Sequence, residues 1–404
     1  MRTSAFRSDT AVRLLPGRDK AVSEGHPWVF SGAVATVDGD PAPGAVVRVV
    51  DSRDAFIAWG HISPASRIRV RLLERREEVA VDEAWWAERL AAAIGRRRDL
   101  LRDPAGACRL VFSEADLLPG LVIDRYGDTL ILQVHTPGAE LMRAPTVSQL
   151  IALLSPAAVL DRSDGEQRGL EGLPSVPPTL ELPAAAGERE VTIHDAGLHF
   201  RVNLGAGQKT GFYIDQRLNR AAVAPWAAGR RVLDAFCYTG AFAVHAARAG
   251  ATGITLLDSS REALEGAVSH LALNGFAAVP TEVRRGNAFA ELRRLRDEGR
   301  SFDLVILDPP RLAPTRSQAA KAARAYKDAN LFAMKLLSPE GILATFSCSG
   351  GIEPAFFREI VRWAAKDAGR EVQVLQTLGQ PHDHPIRVSL PETEYLKGLI
   401  CRVL

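Results

Sequence analysis

The chain has 404 residues, 47% hydrophobic and 24% charged, with 24 prolines and 33 glycines; this excludes a disordered, collagenous or coiled-coil protein and allows two or three domains. Fifty Lys and Arg against 48 Asp and Glu leave a formal net charge of +2, so a nucleic-acid face has to be sought locally. Cys108, Cys237, Cys348 and Cys401 are too few and too scattered for a disulfide framework or a zinc site, and no metal is expected. No stretch approaches the roughly 20 apolar residues of a membrane helix, so the expectation is a soluble, cytoplasmic protein.

From Val12 to Arg75, short β-like runs (AVRLL, HPWVFSGAV, AVVRVVD, AFIAWGHI, RIRVRLL) are broken by turn residues, which predicts a small β-barrel. In RIRVRLL the alternation places Arg67, Arg69 and Arg71 on one face and Ile68, Val70 and Leu72 on the other. That face reads equally as an ordinary solvated strand surface or as a phosphate contact. Helical spacing runs from Asp82 to Leu101, with Arg96, Arg97 and Arg98 read as a solvated helix end. RLVFSEADLLPGLVIDRYGDTLILQV predicts two or three strands, and a helix follows around Pro145–Leu154. The Gly, Pro and polar-rich stretch Ser163–Glu188 reads as a connecting segment, with the main boundary just after it.

From about Val191 a strand, turn, helix pattern repeats, which predicts an α/β, Rossmann-like, doubly wound and mostly parallel sheet with ligands at the carboxyl ends of its strands. EYLKGLICRVL reads as a terminal strand that pairs antiparallel at or near the edge. The expected domains are 1–76 (barrel), 77–188 (α+β module and linker) and 189–404 (doubly wound domain).

The chemistry lies at the strand ends. VLD ends at Asp234 and runs into AFCYTGAF, where Gly240 lets a helix start close to a ligand. ITLLD ends at Asp258, suited to two ribose hydroxyls, and near Asn287 and Ala288 an amide and a backbone N–H are placed to read an adenine. Each Asp alone also reads as a cap or turn residue; as an ordered set they point to an adenosine-bearing cofactor. The three strand ends resemble the first cofactor motifs of the class I S-adenosylmethionine-dependent methyltransferases, with Asn287 where that family usually has Asp. At the fourth strand end, Asp308 precedes Pro309 and Pro310, which force the chain out of the sheet. The neighbouring strand ends at Cys348, within FSCSG. Cys348 alone reads as a small buried hydrophobe, but a thiol beside a carboxylate suits pyrimidine C5 methylation, in which a thiolate adds to C6 while an acidic group engages N3. The other three cysteines read as structural.

Together, HPWVFSGAV, EADLLPGLVIDRYGD, GQKTGFYIDQRLNR, DAFCYTGAF, LDPPRL, YKDANL, FSCSG and YLKGLICRV resemble the bacterial 23S ribosomal RNA cytosine-5 methyltransferase family over essentially the whole chain. The resemblance implies an N-terminal PUA RNA-binding barrel, a central module, a methyltransferase domain, S-adenosylmethionine as cofactor, and 23S ribosomal RNA or a large-subunit particle as partner. It carries Cys348 onto the nucleophile and Asp308 onto the base-orienting acid. The implied cofactor pocket holds Asp234, Phe236, Tyr238, Gly240, Asp258, Ser259, Asn287 and Ala288, with Lys209, Tyr213, Asp215 and Gln216 as lid or methionine-end contacts. Substrate RNA would meet Pro309, Pro310, Arg311 and Lys327, with Arg67, Arg69 and Arg71 on the barrel. Two features depart from related patterns: Pro310-Arg311 stands where another branch has a second cysteine, and VFSEADLLPGL lacks a His-Gly before its Glu. Two other functions compete: an N-methyltransferase of a ribosomal RNA purine with Cys348 structural, and a non-catalytic RNA-binding ribosome-assembly factor. A homodimer, through the central module or the sheet edge, is left open.

Overall fold

The computed structural model describes residues 7–177, 179–182, 190–205, 211–313 and 316–404. The chain forms two compact units: the first takes Met1–Ile193, Val202–Ile214 and His382–Thr393, and the second His194–Arg201, Asp215–Pro381 and Glu394–Leu404. The segments 202–214 and 382–393, which the sequence assigns to the last domain, thus belong to the first unit.

In the first unit, β1 (Arg7–Leu14), β2 (Trp28–Phe30), β3 (Val34–Val37), β4 (Val46–Val50), β5 (Phe56–Ile62) and β6 (Ile68–Glu74) form one sheet in the order β2-β6-β5-β4-β1-β3. Val12, Val29, Val47, Val49, Ala58 and Val70 fill its core. The arginine face predicted for β6 needs a correction. Arg71 is 5% exposed, and its guanidinium grips both carboxylate oxygens of Glu171 at 2.7 and 2.9 Å and reaches Glu114 at 3.3 Å. Alternation correctly separates Arg71 from Val70, but that face of the strand is covered by polar neighbours instead of water. Arg67 is exposed and Arg69 half-buried.

A second sheet follows: β7 (Ala107–Phe112), β8 (Leu121–Tyr126), β9 (Thr129–Val134), β10 (Ala158–Asp161) and β11 (Thr179–Leu182), in the order β11-β10-β9-β8-β7. The helix Glu83–Gly95 is capped by Asp82, which accepts from Trp85 N at 3.0 Å, and it buries Trp85, Trp86 and Leu90. The helix ends earlier than its periodicity predicts, and the solvated-terminus reading fails for Arg97. Its guanidinium is 2% exposed and pairs bidentately with Asp116, both bonds 2.7 Å. The segment read as a connector is likewise partly built into the sheet: a helix spans Gly165–Leu170, β11 pairs with β10, and buried Arg168 binds Val134 O at 2.8 Å and Glu140 at 2.7 Å. Glycine and proline content alone does not reveal such anchoring. β12 (Glu190–Asp195) and β13 (Leu198–Asn203) form a two-stranded sheet where the chain passes between units.

The second unit carries seven strands: β14 (Arg231–Ala235), β15 (Gly253–Asp258), β16 (Thr281–Arg285), β17 (Phe302–Leu307), β18 (Leu337–Ser347), β19 (Val372–Gly379) and β20 (Lys397–Val403). Their order is β16-β15-β14-β17-β18-β20-β19, parallel from β16 to β18, with β20 antiparallel to both its neighbours. The apolar runs VL in β14, ITLL in β15 and LVIL in β17 are those of strands covered on both faces; Leu233, Leu257, Val305 and Leu343 sit in one core with Ala329, Ala333, Ile360 and Ala364 from two helices. Strand order reverses between β14 and β17, which opens a crevice at their carboxyl ends. Among the described residues, no helix is long and apolar enough to cross a membrane.

Candidate active site

The loop after β14 is held in an unusual backbone conformation. Phe236 and Tyr238 have φ of 62° and 49°, and Gly240 has φ 73°, so three residues within five lie in the left-handed region. A Cβ on Gly240 would lie 2.6 Å from the Cβ of Ala267, so the helix Ala241–Arg248 can start here only on glycine. Such strain persists where neighbours over-determine it: Tyr238 N donates to Asp258 Oδ2 at 2.9 Å, Cys237 N to Leu257 O at 3.1 Å, and Thr239 O accepts from His270 Nδ1 at 2.9 Å. Nε2 of the same imidazole lies 3.0 Å from Arg201 N and 3.1 Å from Arg201 O, which ties the loop to β13.

Asp234 is 1% exposed. Its Oδ2 accepts from Ala243 N at 3.0 Å, while its Oδ1 has no hydrogen-bond partner among the described residues. Burial pushes its carboxyl up to about 8, helped by the Asp308 and Asp258 carboxylates and opposed by the Ala243 N–H. Asp258 ends β15 half-buried, accepting from Tyr238 N and from Ser260 N, one bond per oxygen, which leaves lone pairs on both. Ser259 is exposed beside it. Asn287 accepts from Phe289 N at 3.0 Å and Ala290 N at 3.3 Å, capping the helix Ala288–Asp297. Asn serves this as well as Asp does, which accounts for the amide at this position. Phe289, which the sequence reading missed, meets Phe236 edge to face at 5.3 Å.

The β17 exit brings Asp308 N to Ala235 O at 3.4 Å, so this carboxylate stands at the mouth of β14. Pro309 is buried, and Pro310 and Arg311 are exposed. Cys348, immediately after β18, is half-buried, with its thiol 4.0 Å from Pro309 O; Asp308 and Cys348 thus end adjacent parallel strands, as predicted. Cys108, Cys237 and Cys401 are buried. Burial also raises the Cys237 thiol, and lifts Cys401 to about 12.

Three residues that assemble this corner escaped the site prediction. Ser349 Oγ accepts from Leu312 N and Ala313 N, both at 3.0 Å, and lies 2.9 Å from the Tyr326 hydroxyl, so one buried oxygen joins the DPPRLA loop, the helix Ala319–Leu336 and the cysteine turn. Lys397 Nζ donates to Ser349 O at 2.7 Å and to Tyr395 O at 2.8 Å. The signal was present, since YKDANL contains Tyr326 and YLKGLICRV contains Lys397. Lys327, on the same helix, is half-buried, and its ammonium pairs with Asp367 at 2.5 Å, on the helix Pro354–Ala368. Gln216 is buried and accepts from Asn219 at 2.6 Å. Asp215 Oδ2 accepts from Tyr395 Oη at 2.7 Å, and its Oδ1 is buried without a partner among the described residues. Tyr213 is half-buried in the first unit, and Lys209 lies outside the described residues.

The crevice of the second unit therefore presents carboxylates from Asp234, Asp258 and Asp308 with an orphaned oxygen on Asp234, a cradle that fits a ligand bearing a ribose and positive charge. An adenosine sulfonium amino acid has both.

The strand order and these strand-end acids define a class I S-adenosylmethionine-dependent methyltransferase. A family model described as S-adenosylmethionine-dependent methyltransferase matches residues 181–393, and one described as PUA-like domain matches residues 12–75. Proteins called Ribosomal RNA large subunit methyltransferase I are similar along nearly their whole length. The one from Shewanella denitrificans is 43% identical, covering 97% of this chain and 99% of its own, and that from Klebsiella pneumoniae strain 342 is 41% identical, covering 97% and 98%. Two solved structures share the fold: a Streptococcus mutans chain described as a sam-dependent methyltransferase (TM-score 0.82, 19% identity, 97% of this chain and 100% of that one), and a methyltransferase complexed with SAH (TM-score 0.84, 20% identity, with the same coverage). The chain belongs to the family of PUA-containing, S-adenosylmethionine-dependent methyltransferases that includes Ribosomal RNA large subunit methyltransferase I.

Proposed function

We propose that the protein methylates C5 of a cytosine in large-subunit ribosomal RNA through a covalent bond between Cys348 and C6 of the base. The RNA substrate rests on the named relatives, 43% identical across 97% of the chain, and on the PUA-like domain. The atom rests on one observation above all: of four thiols three are buried, and the half-buried one ends the strand beside that of Asp308.

When bound, S-adenosylmethionine supplies an electrophilic methyl group on a sulfonium. Asp258 would hold the ribose hydroxyls, and Asp234 and Asp215 the positively charged end. Cys348 adds as the thiolate to C6 and turns the base into an enamine nucleophilic at C5. Asp308 engages N3, where charge develops, and Pro309 and Pro310 keep it aimed by taking the chain out of the sheet. After C5 is methylated, loss of its proton releases the thiolate. The target base leaves its stack to reach the crevice, with Pro310 and Arg311 at the entrance and Arg67 and Arg69 on the first unit's sheet as phosphate contacts.

Mass spectrometry of ribosomal RNA nucleosides from cells with and without the gene tests this. The loss of one 5-methylcytosine, restored by the wild-type gene and not by Cys348→Ala, is expected. Loss of a methylated purine instead would overturn the nucleophile, and an unchanged profile would favour a binding role.

A further inference from the structure

Lys397 is the buried charge that the reaction above leaves unused. It opens β20 in register with Ser347 of β18, one residue before Cys348, and is 4% exposed. A buried ammonium normally stands against a carboxylate. Among the described residues, Lys397 forms no ion pair with Asp or Glu; its two hydrogen bonds go to the neutral carbonyls of Ser349 and Tyr395. These carbonyls consume two of three N–H donors and pin the cation against the turn that carries the cysteine. Burial draws Lys397 down to about 8, with the charges of Cys348 and Glu394 opposing that fall and Arg311 assisting it, so the ammonium form still prevails near neutral pH.

We propose that the Lys397 ammonium is a positioning residue that holds Cys348 as the thiolate, through a fixed positive charge in a site where water screens little. The inference rests on the reading of Cys348 as nucleophile. The other groups around the thiol supply this charge less well. Asp308, the acid assigned to N3, carries no positive charge in either protonation state; Arg311 attracts a thiolate but is exposed and screened; Tyr326 is lifted to about 12 by burial and stays neutral. A nearby cation that does not move is the general means of lowering a thiol's proton affinity.

The test is the pH profile of Cys348 alkylation by iodoacetamide in the full chain, read on the Cys348 peptide by mass spectrometry. Lys397→Met is expected to raise the midpoint by about one pH unit or more, and Lys397→Arg to leave it near the wild-type value. A Lys397→Met protein with the wild-type midpoint would overturn the proposal. Should that variant not fold, the reciprocal measurement decides. With carbon-13 lysine label, the Lys397 titration should move to lower pH in Cys348→Ser, because the anion that favours the ammonium is gone; an unmoved titration is the contrary result. Trapping on RNA containing 5-fluorocytidine separates the two claims. Trapping with an unmoved midpoint defeats the charge pair alone, and a moved midpoint without trapping defeats the nucleophile reading alone.

Discussion

The hydroxyl of Tyr326 lies 2.9 Å from the Oγ of Ser349. Because the same Oγ accepts from Leu312 N and Ala313 N, the loop carrying Asp308 and the turn carrying Cys348 share a single buried oxygen. Ser349→Ala removes the side-chain acceptor of both amides and one of the phenol's partners, leaving the phenol its bond to Ser347, and each unsatisfied buried group costs about 1–3 kcal/mol. The variant is expected to lose at least about tenfold in kcat and several degrees in Tm, and Tyr326→Phe, which removes one partner, to lose less of both. Methyl-transfer assays and thermal unfolding check the order.

Asp234 makes the site sensitive to pH. Its value of about 8, raised from 3.8 chiefly by burial, means that the folded chain keeps a proton that the unfolded chain has lost between those two limits. Stability from this group is therefore present at low pH and falls as pH rises through that window. Asp234→Asn should remove the slope, so urea unfolding near pH 5 and near pH 8 would show the wild type losing stability relative to the variant. A positively charged cofactor favours the carboxylate, so its binding near pH 7 should release a proton. Calorimetry in buffers of differing ionisation enthalpy reads this directly.

Gly240 tests the cofactor loop. Alanine there adds a left-handed strain of about 1–3 kcal/mol to a Cβ 2.6 Å from that of Ala267. Gly240→Ala is expected to lower Tm and weaken S-adenosylmethionine binding by at least about tenfold, since the helix Ala241–Arg248 must shift away from the strand end. Equal affinity in titration calorimetry would show that the loop tolerates the shift.

Arg71 and Arg67 should part company. Removing the Arg71 guanidinium leaves Glu171 buried without its bidentate partner, a loss of about 3–5 kcal/mol. Arg67→Ala, at an exposed position, should stay within about 0.5 kcal/mol while reducing the salt dependence of RNA binding. Urea unfolding and binding at two salt concentrations distinguish them.

These contrasts show what local sequence can carry. The ends of β14, β15 and β17 were legible because apolar runs stop at Asp234, Asp258 and Asp308, and a parallel sheet places such ends in one crevice. Cys348 was legible for the same reason. Arg71, Arg97 and Arg168 were not: each is buried by carboxylates or carbonyls distant in sequence, such as Glu171, Asp116 and Val134, and no periodicity announces a distant partner. The Asp367 partner of Lys327 was not legible either: Tyr326 faces the core, and the next helical position turns about 100° away, to an acid on another helix. Ser349 and Lys397 lay inside quoted motifs, but their work is done by one hydroxyl and two carbonyl contacts that depend on strand register.

The most direct test of the account is covalent trapping. Fluorine at C5 blocks the loss of the proton that frees the enzyme, so incubation with S-adenosylmethionine and large-subunit ribosomal RNA containing 5-fluorocytidine should produce a denaturation-resistant protein–RNA complex whose cross-linked peptide contains Cys348, absent in Cys348→Ala. A complex that forms equally well in Cys348→Ala, or methyl transfer retained by that variant, would contradict the assignment.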